Sequence, residues 1–387
     1  MKLIFPDFSL KCLKKIEENG FEAWFVGGCV RDAFLGRDFY DIDIATNATP
    51  TDIINIFDKT VPTGIKHGTV TVIIDKNSIE VTTYRSEAGY FDTRHPDSVE
   101  FMSDITEDLS RRDFTINALA FHPKRGLVDL FFGIEDLNNR IIRCVNNPHT
   151  RLSEDALRIL RAYRFSSQLG FSIEKETESA AISLLENLKL LSGERILSEL
   201  IKLICGKNPD KIKTLISNGS LEFCGIKSKC SNLSKLSQIT NTSDIRLPIF
   251  LNLCGFDSNL LKSILKIDRK SLTLTTSLYD IINHKKPKTK SEIKRTLSKY
   301  DKSVFELYLE YLSITEDDFS SLKEKYLEII ENNEPYKISH LNICGDEIAA
   351  LGINGKEIGL QLEHLLKIVI DNPSFNKKET LISLIKK

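Results

Sequence analysis

An α+β N-terminal head, built on a small mixed or antiparallel sheet with helices and followed by all-α neck, body and tail domains, is the fold class the sequence predicts. Three observations lead to it. Strand-like and short helical segments are interleaved up to about Asn146. After Asn146-Asn147-Pro148 the strand signals largely stop and helical periodicity takes over. The chain of 387 residues also exceeds the roughly 250–300 that one hydrophobic core organises, so several packed domains are expected. Their expected limits are 1–145, 146–205, 206–320 and 321–387.

Composition narrows the class. Hydrophobic content of 41% and charged content of 28% are ordinary for a soluble protein, and no apolar run is long enough to span a bilayer. The first residues, MKLIFPDFSLKCLKKIEENGF, form an amphipathic start without a signal-peptide core, so a cytoplasmic location is expected. The eight cysteines include no C-x-x-C pair, which argues against a disulfide framework and a zinc site and for small buried side chains. Net charge is −1, yet residues 200–300 hold 19 Lys and Arg against 7 Asp and Glu. A basic middle joined to an acidic remainder suits a protein that grips phosphates in one region and metal in another, although lysine-rich solvated helix faces would give the same count.

The head is organised around residues 26–46, VGGCVRDAFLGRDFYDIDIAT. A strand at 23–26 runs into Gly27-Gly28, a short helix follows, Gly36 ends it, and a second strand is expected to present Asp41 and Asp43. Strand side chains alternate, so the two carboxylates share a face while Ile42 and Ile44 point into the core. Like charges that close repel unless a cation lies between them, and Mg²⁺ suits oxygen ligands and a phosphate-bearing substrate. A solvated edge strand is the alternative for a lone D-x-D. Here the backbone of Gly27-Gly28 and the guanidinium of Arg31, just upstream, suit the cradling of a triphosphate.

Further along, Thr49-Pro50-Thr51-Asp52 caps a short helix, and 67–74 alternates as a strand. After a polar turn at 75–78, residues 79–85 (IEVTTYR) pair back antiparallel, with Glu80 near their start. Residues 86–97 have turn residues and charges but no period and read as a mobile loop. Asp104 and Glu107 open a helix leading into RRDFTINALAF, where Ile116, Leu119 and Ala120 form a buried stripe and Arg112 and Asp113 point elsewhere. In RLSEDALRILRAYRFSSQLGF, Ser153 is the expected N-cap with Glu154 and Asp155 in the first turn, and Arg158, Arg161 and Arg164 fan across one helix face. An i,i+3 pair between Asp155 and Arg158, and an i,i+4 pair between Arg195 and Glu199, are the local alternatives. Later helices are expected at 209–216, 258–266, 272–282, 290–298, 320–330 and 359–370, with Lys285, Lys286 and Lys288 in the strongest basic cluster.

GG-x-VRD-x-x-LGR followed by D-x-D-x-A-T resembles the catalytic signature of the class II nucleotidyltransferase superfamily, which comprises CCA-adding tRNA nucleotidyltransferases and bacterial poly(A) polymerases. RRDFTINALAF, DLFFGIEDLNNRIIR, EDALR and ERILSEL extend the resemblance over roughly the first half of the chain. It implies Asp41, Asp43 and Glu80 as catalytic carboxylates, Asp41 and Asp43 as the Mg²⁺ ligands, and Gly28, Arg31, Arg112, Asp113, Asp155, Arg158, Arg161 and Arg164 as nucleotide-binding residues. Arg112 and Asp113 would meet the triphosphate and ribose, the 86–97 loop would accompany cytidine addition, residues 129–143 would form a hinge, and Arg195 with Glu199 would brace the helix bearing Asp155. The implied partners are tRNA, through its 3′ end and acceptor and T-arm half, with CTP and ATP. No membrane or obligate protein partner is implied.

Base selection follows from hydrogen-bond types. Cytosine and adenine each offer an amino donor beside a ring-nitrogen acceptor, which an acceptor-only carboxylate and a donor-only guanidinium satisfy. Uracil and guanine present the reverse and would leave Asp155 and Arg158 unpaired. A dinucleotide-binding redox domain is excluded, because no G-x-G-x-x-G follows the first strand, and there is no Walker A motif. An inactive tRNA-binding scaffold is disfavoured by the presence of all the acidic and arginine positions. GIKHGTVTV is more like the CCA-adding than the poly(A) polymerase branch, and a CC-adding enzyme would share nearly all of these residues.

Overall fold

The computed structural model describes residues 3–65, 68–90, 96–101 and 104–385, with backbone only for 85–90 and 96–101. They fall into two compact units, Met1–Phe223 and Cys224–Lys387.

The first unit is α+β. Its strands are β1 (Ala23–Val26), β2 (Asp43–Thr46), β3 (Thr60–Gly64), β4 (Thr69–Ile74), β5 (Asn77–Thr83), β6 (Arg85–Tyr90), β7 (Pro96–Phe101), β8 (Leu119–His122) and β9 (Gly126–Asp129), with a short parallel pair, β10 (Ile141–Ile142) and β11 (Ser172–Ile173). Seven of them make one sheet in the order β3-β4-β5-β2-β1-β8-β9. The pairing of β2 with β5 is parallel and the other pairings in this sheet are antiparallel. The β4–β5 hairpin turns on Asp75 and Lys76, both at positive φ (50° and 66°), as a two-residue turn between right-twisted strands requires.

Its helices are α1 (Asp7–Glu18), α2 (Gly28–Phe34), α3 (Pro50–Ile56), α4 (Ile105–Ser110), α5 (Gly133–Asn139), α6 (Pro148–Glu154), α7 (Leu157–Leu169), α8 (Lys175–Ser183), α9 (Gly193–Ile204) and α10 (Lys213–Ser217). Thr49 and Asp52 close the expected capping box at the start of α3. Trp24, Val26, Ala45, Tyr84 and Ala120 pack with Ile105 and Leu109 of α4 as one apolar cluster.

The register of β2 is fixed by what lies behind it. Ile42 and Ile44 are 2% and 0% exposed, each burial contributing roughly 1.5–3 kcal/mol. A slip by one residue would expose both and bury the acids instead, so the apolar alternation holds the carboxylates on the open face. The strand begins at Asp43, one pairing later than expected, and Asp41 stands in the connection before it. The ladder still reaches back past Asp43, since Glu80 N donates to Ile42 O at 3.0 Å.

Three expectations for this unit are corrected. Residues 86–97, read as a loop, contribute to a separate two-stranded sheet, β6 with β7; its segments, RSEAGY and PDSVEF, hold too few apolar residues to show an alternation. Positions 91–95 of that loop, and His67 of the strand expected at 67–74, lie outside the described residues. Ile116, Leu119 and Ala120 are all fully buried, but Leu119 and Ala120 lie on β8 and Ile116 in a single 3₁₀ turn, because a short apolar run does not distinguish strand from helix. Ser153 is no N-cap: it lies in the last turn of α6, its hydroxyl donating to His149 O, and the chain breaks at Asp155 before α7 begins.

The second unit is helical: α11 (Ser243–Cys254), α12 (Ser258–Ser263), α13 (Arg269–Asn283), α14 (Lys290–Lys299), α15 (Lys302–Thr315), α16 (Ser320–Glu331), α17 (Gly345–Ala349), α18 (Lys356–Asp371) and α19 (Lys378–Leu384). Leu341, Ile343, Ile348, Leu365, Val369 and Leu381 form a core of their own around α17 to α19. α11, α15, α17 and α19 are additions to the expected set. α11 contains Pro248 and is apolar on nearly all sides, so it shows neither an uninterrupted helical run nor an amphipathic period. The segment expected as one helix at 209–216 divides into a 3₁₀ turn, Pro209–Ile212, and α10.

The cysteines also depart from expectation. Cys230 and Cys254 are joined as a disulfide across 24 positions, a separation that no spacing motif announces. Cys12, Cys29, Cys144 and Cys224 are buried as expected, while Cys344 is exposed. Among the described residues no helix is long and apolar enough to cross a membrane.

Candidate active site

The turn from β1 into α2 sets the floor of a cleft of about 770 Å³ in the first unit. Gly27 sits at φ 71°, ψ −132°, a conformation open to glycine alone. A Cβ there would stand 2.8 Å from Arg112 Nη1 and 3.6 Å from Asp43 Oδ2. The missing side chain therefore lets Arg112 approach Asp43. Gly27→Ala is expected to lower unfolding free energy by about 1–3 kcal/mol and to displace Arg112, which denaturant unfolding and nucleotide affinity together would register.

All eleven residues singled out from the sequence line this cleft: Asp41, Asp43, Glu80, Gly28, Arg31, Arg112, Asp113, Asp155, Arg158, Arg161 and Arg164. Asp43 and Glu80 are direct partners in the parallel β2–β5 ladder. Burial pushes the Asp43 carboxyl up to about 6; Arg112 opposes the shift, while Glu80 and Asp41 add to it. Its negative charge is thus held where nearby groups only partly offset it. Among the described residues no group of three or more His, Cys, Asp or Glu is placed to hold a metal ion by itself. A two-carboxylate oxygen site completed by water and substrate phosphates is the usual form for Mg²⁺, and this donor set fits it.

The arginines are positioned by acids. Asp108, fully buried, receives Arg111 at 2.5 Å and Arg112 at 2.9 Å. Burial raises its carboxyl, but the two guanidiniums outweigh that and hold it below the ordinary value. Arg158 Nη1 donates to Glu154 Oε2 at 2.5 Å and to Arg151 O at 2.8 Å, and Arg151 shares the same Glu154 oxygen at 2.7 Å. Arg161 pairs with Asp113 at 2.6 Å and Arg164 with Glu199 at 2.5 Å. Burial draws the Arg164 guanidinium down to about 10, with Arg161 beside it adding to the shift and Glu199 opposing it. The side of Phe165 is covered by Arg164 at 3.8 Å, Arg31 at 5.0 Å and Arg161 at 5.3 Å from the ring centroid.

Neither local ion pair considered from the sequence forms. Asp155 turns its Oδ1 to cap Leu157 N at 3.0 Å and its Oδ2 to Arg195 at 2.8 Å, while Arg195 and Glu199 both reach from α9 across to the α7 region. The pair in α9 therefore braces two elements instead of one helix face. Asp129, the first residue of the segment expected as a hinge, caps α5 by accepting from Gly133 N and Ile134 N.

Sequence reasoning passed over Asp108, Glu154 and Asn117. Glu154 had been read only as a favourable first-turn charge. Asn117 carried a usable signal, a lone amide inside the apolar run of RRDFTINALAF.

Comparison with known proteins agrees with this geometry. Residues 23–143 match the family described as "Poly A polymerase head domain", and residues 170–224 that described as "Probable RNA and SrmB- binding site of polymerase A". The chain is 36% identical over 392 residues to the CCA-adding enzyme of Lactobacillus gasseri, covering 97% of this chain and 96% of that protein. It is 48% identical over 233 residues to the CCA-adding enzyme of Lactobacillus delbrueckii subsp. bulgaricus, a match spanning 60% of this chain and 59% of that relative's length. The solved structure of the Bacillus stearothermophilus CCA-adding enzyme in complex with CTP superposes with a TM-score of 0.79 at 27% identity, covering 98% of each chain.

Proposed function

The chain belongs to the CCA-adding enzyme family, and from that premise we propose that it adds C, C and A to the 3′ end of tRNA from CTP and ATP, without a nucleic-acid template, releasing pyrophosphate. The observation that supports this most is the meeting of two residue sets in one cleft: the acids Asp41, Asp43 and Glu80 with the base-reading pair Asp155 and Arg158.

In the proposed reaction the tRNA 3′-hydroxyl attacks the α-phosphate in line. Asp41 and Asp43 would hold divalent cations, Mg²⁺ by donor chemistry, which lower the pKa of the hydroxyl and neutralise the leaving pyrophosphate. Arg31 and Arg112 bind the triphosphate, each oriented by its own acid, so the rate gain comes mainly from positioning and charge stabilisation. Asp155 accepts the amino group of cytosine or adenine and Arg158 donates to the neighbouring ring nitrogen. The division of labour we propose is catalysis in 1–145, base selection in 146–205 and tRNA binding in 206–320 and 321–387, with the enzyme acting in the cytoplasm.

Sequencing the 3′ ends of a tRNA transcript after incubation with all four NTPs tests the proposal. Ends in CCA support it, whereas ends in CC, A runs or no extension each contradict it.

The tRNA-binding part has its own test. Lys285 and Lys288 are exposed, but Lys286 is paired with Glu316, so the cluster offers fewer uncommitted charges than its sequence suggests. Removing Lys285 and Lys288 together should reduce the log–log salt slope of tRNA affinity by about two, close to one per lost phosphate contact, and removing Lys286 should add less. An unchanged slope across a salt series would mark the cluster as merely solvated.

A further inference from the structure

Between Arg31 and Asp113, both of which line the cleft, lies a buried amide. Asn117, 5% exposed, accepts from Arg31 Nη1 on its Oδ1 at 2.6 Å and donates from its Nδ2 to Asp113 Oδ1 at 2.9 Å. These partners settle its orientation, since a guanidinium only donates and an ionised carboxylate only accepts. Arg31 is held on its other side by Asp32, through Nε at 3.1 Å and Nη2 at 2.7 Å. Asp113 also takes Phe114 N at 2.8 Å on Oδ1, and Arg161 Nε at 2.7 Å and Nη2 at 2.6 Å on Oδ2. Three of the five Arg31 N–H groups are thereby engaged, which leaves two for the cleft that Arg31 lines. The Asp113 carboxylate, by contrast, is nearly saturated by protein donors, and a ribose hydroxyl can meet it only by sharing or displacing one of them.

We infer that Asn117 is a positioning residue that locks the triphosphate-facing Arg31 and the ribose-facing Asp113 into one network, so that phosphate affinity and selection of the ribose hydroxyl are set together. The inference rests on the proposed nucleotidyl transfer and extends it to a residue that touches no substrate. Asn is the side chain this place demands. A leucine of similar size would take one charge-assisted bond from Arg31 and one from Asp113 and cut the link between them, leaving Arg31 on Asp32 and Asp113 on Arg161. An aspartate would turn a second carboxylate on Asp113.

That second substitution gives the decisive experiment. When protonated, the acid in Asn117→Asp reproduces the amide, its carbonyl oxygen facing Arg31 and its hydroxyl donating to Asp113; when ionised it cannot. The charged groups around position 117 are Arg31 and Asp113, with Asp32 and Arg161 behind them. Asp113 crowds that acid and raises its pKa, while Arg31 opposes the shift.

The measurement is kcat and KM on tRNA lacking its terminal A, with ATP and with dATP, for wild type, Asn117→Leu and Asn117→Asp across a pH series. Asn117→Leu should raise KM for ATP about tenfold or more, leave KM for tRNA unchanged and narrow the preference for ATP over dATP. Asn117→Asp should be similarly impaired at about pH 8 but regain at least about tenfold in kcat/KM, relative to wild type at the same pH, by about pH 6. If the leucine variant does not fold, the aspartate variant alone decides. Wild-type values of KM and of the ATP to dATP ratio in either variant, or an impairment of Asn117→Asp that is flat with pH, would overturn the inference while leaving nucleotidyl transfer intact. A wild-type protein that transfers no nucleotide at all would remove the underlying proposal as well.

Discussion

Asp43→Ala is expected to abolish addition of CTP and ATP alike, by at least about a thousandfold, or about 4 kcal/mol of transition-state stabilisation, while tRNA affinity survives. The two nucleotides must fail together because the phosphate chemistry is common to them and only base reading differs. Binding survives because the basic cluster of the second unit is untouched by the change. Folding should survive too: Asp43 is a half-buried acid crowded by Glu80 and Asp41, and the strand is held by Ile42 and Ile44, not by the carboxylate. Primer extension with excess Mg²⁺, beside tRNA binding and thermal unfolding, separates these effects. Near-normal turnover would remove this cleft as the catalytic centre. Asp41→Ala should follow the same pattern, although Asp41 stands before the strand and is exposed.

Asp155→Asn should change specificity as well as rate. Its amide can turn a donor towards O4 of uracil or O6 of guanine, so UTP and GTP are no longer opposed by acceptors alone. Arg158 still faces the N–H of those bases, which keeps the gain partial. Addition of C and of A should fall together, by about 1–3 kcal/mol for a lost charge-assisted bond. The structure adds a necessary control, because Asp155 also caps α7 and holds Arg195. Arg195→Ala breaks the brace but keeps the carboxylate. It should slow addition without admitting UTP or GTP. If both variants lose discrimination equally, Asp155 acts by fixing α7; if CTP addition falls and ATP addition does not, one pair does not read both bases.

Much of the head was legible because its determinants are local. The β1–turn–α2 connection follows from Gly27-Gly28 after an apolar strand, and the outward side chains of Asp43 on β2 and of Asp41 just before it follow from Ile42 and Ile44 alternating with them. The pairing of β4 with β5 follows from a two-residue polar turn between alternating segments. Legibility failed where period was absent or shared: β6 and β7 hold too few apolar residues to alternate, β8 is too short to declare its period, and α11 has apolar residues on nearly every side. Asp155 was placed inside a helix because SEDALR has good helix-start chemistry, yet the start in use is one turn later.

By itself the sequence determined that this protein has a strand-rich head with two acids on one face, a helical remainder, and residue types suited to binding a nucleoside triphosphate. Those properties depend on spacings of two, three or four along the chain, which backbone geometry converts directly into faces. Which charge meets which was decided only by tertiary structure. Asp155 meets Arg195 across 40 positions, Asp113 meets Arg161 across 48, and Asn117 meets Arg31 across 86. Local spacing offered each of these groups a nearer partner or none. The packing of α7 against α9 and the order of strands in the sheet brought the distant ones closer, and in a buried cleft a charge takes the partner whose geometry satisfies it, because leaving it unpaired costs more than any local pair returns.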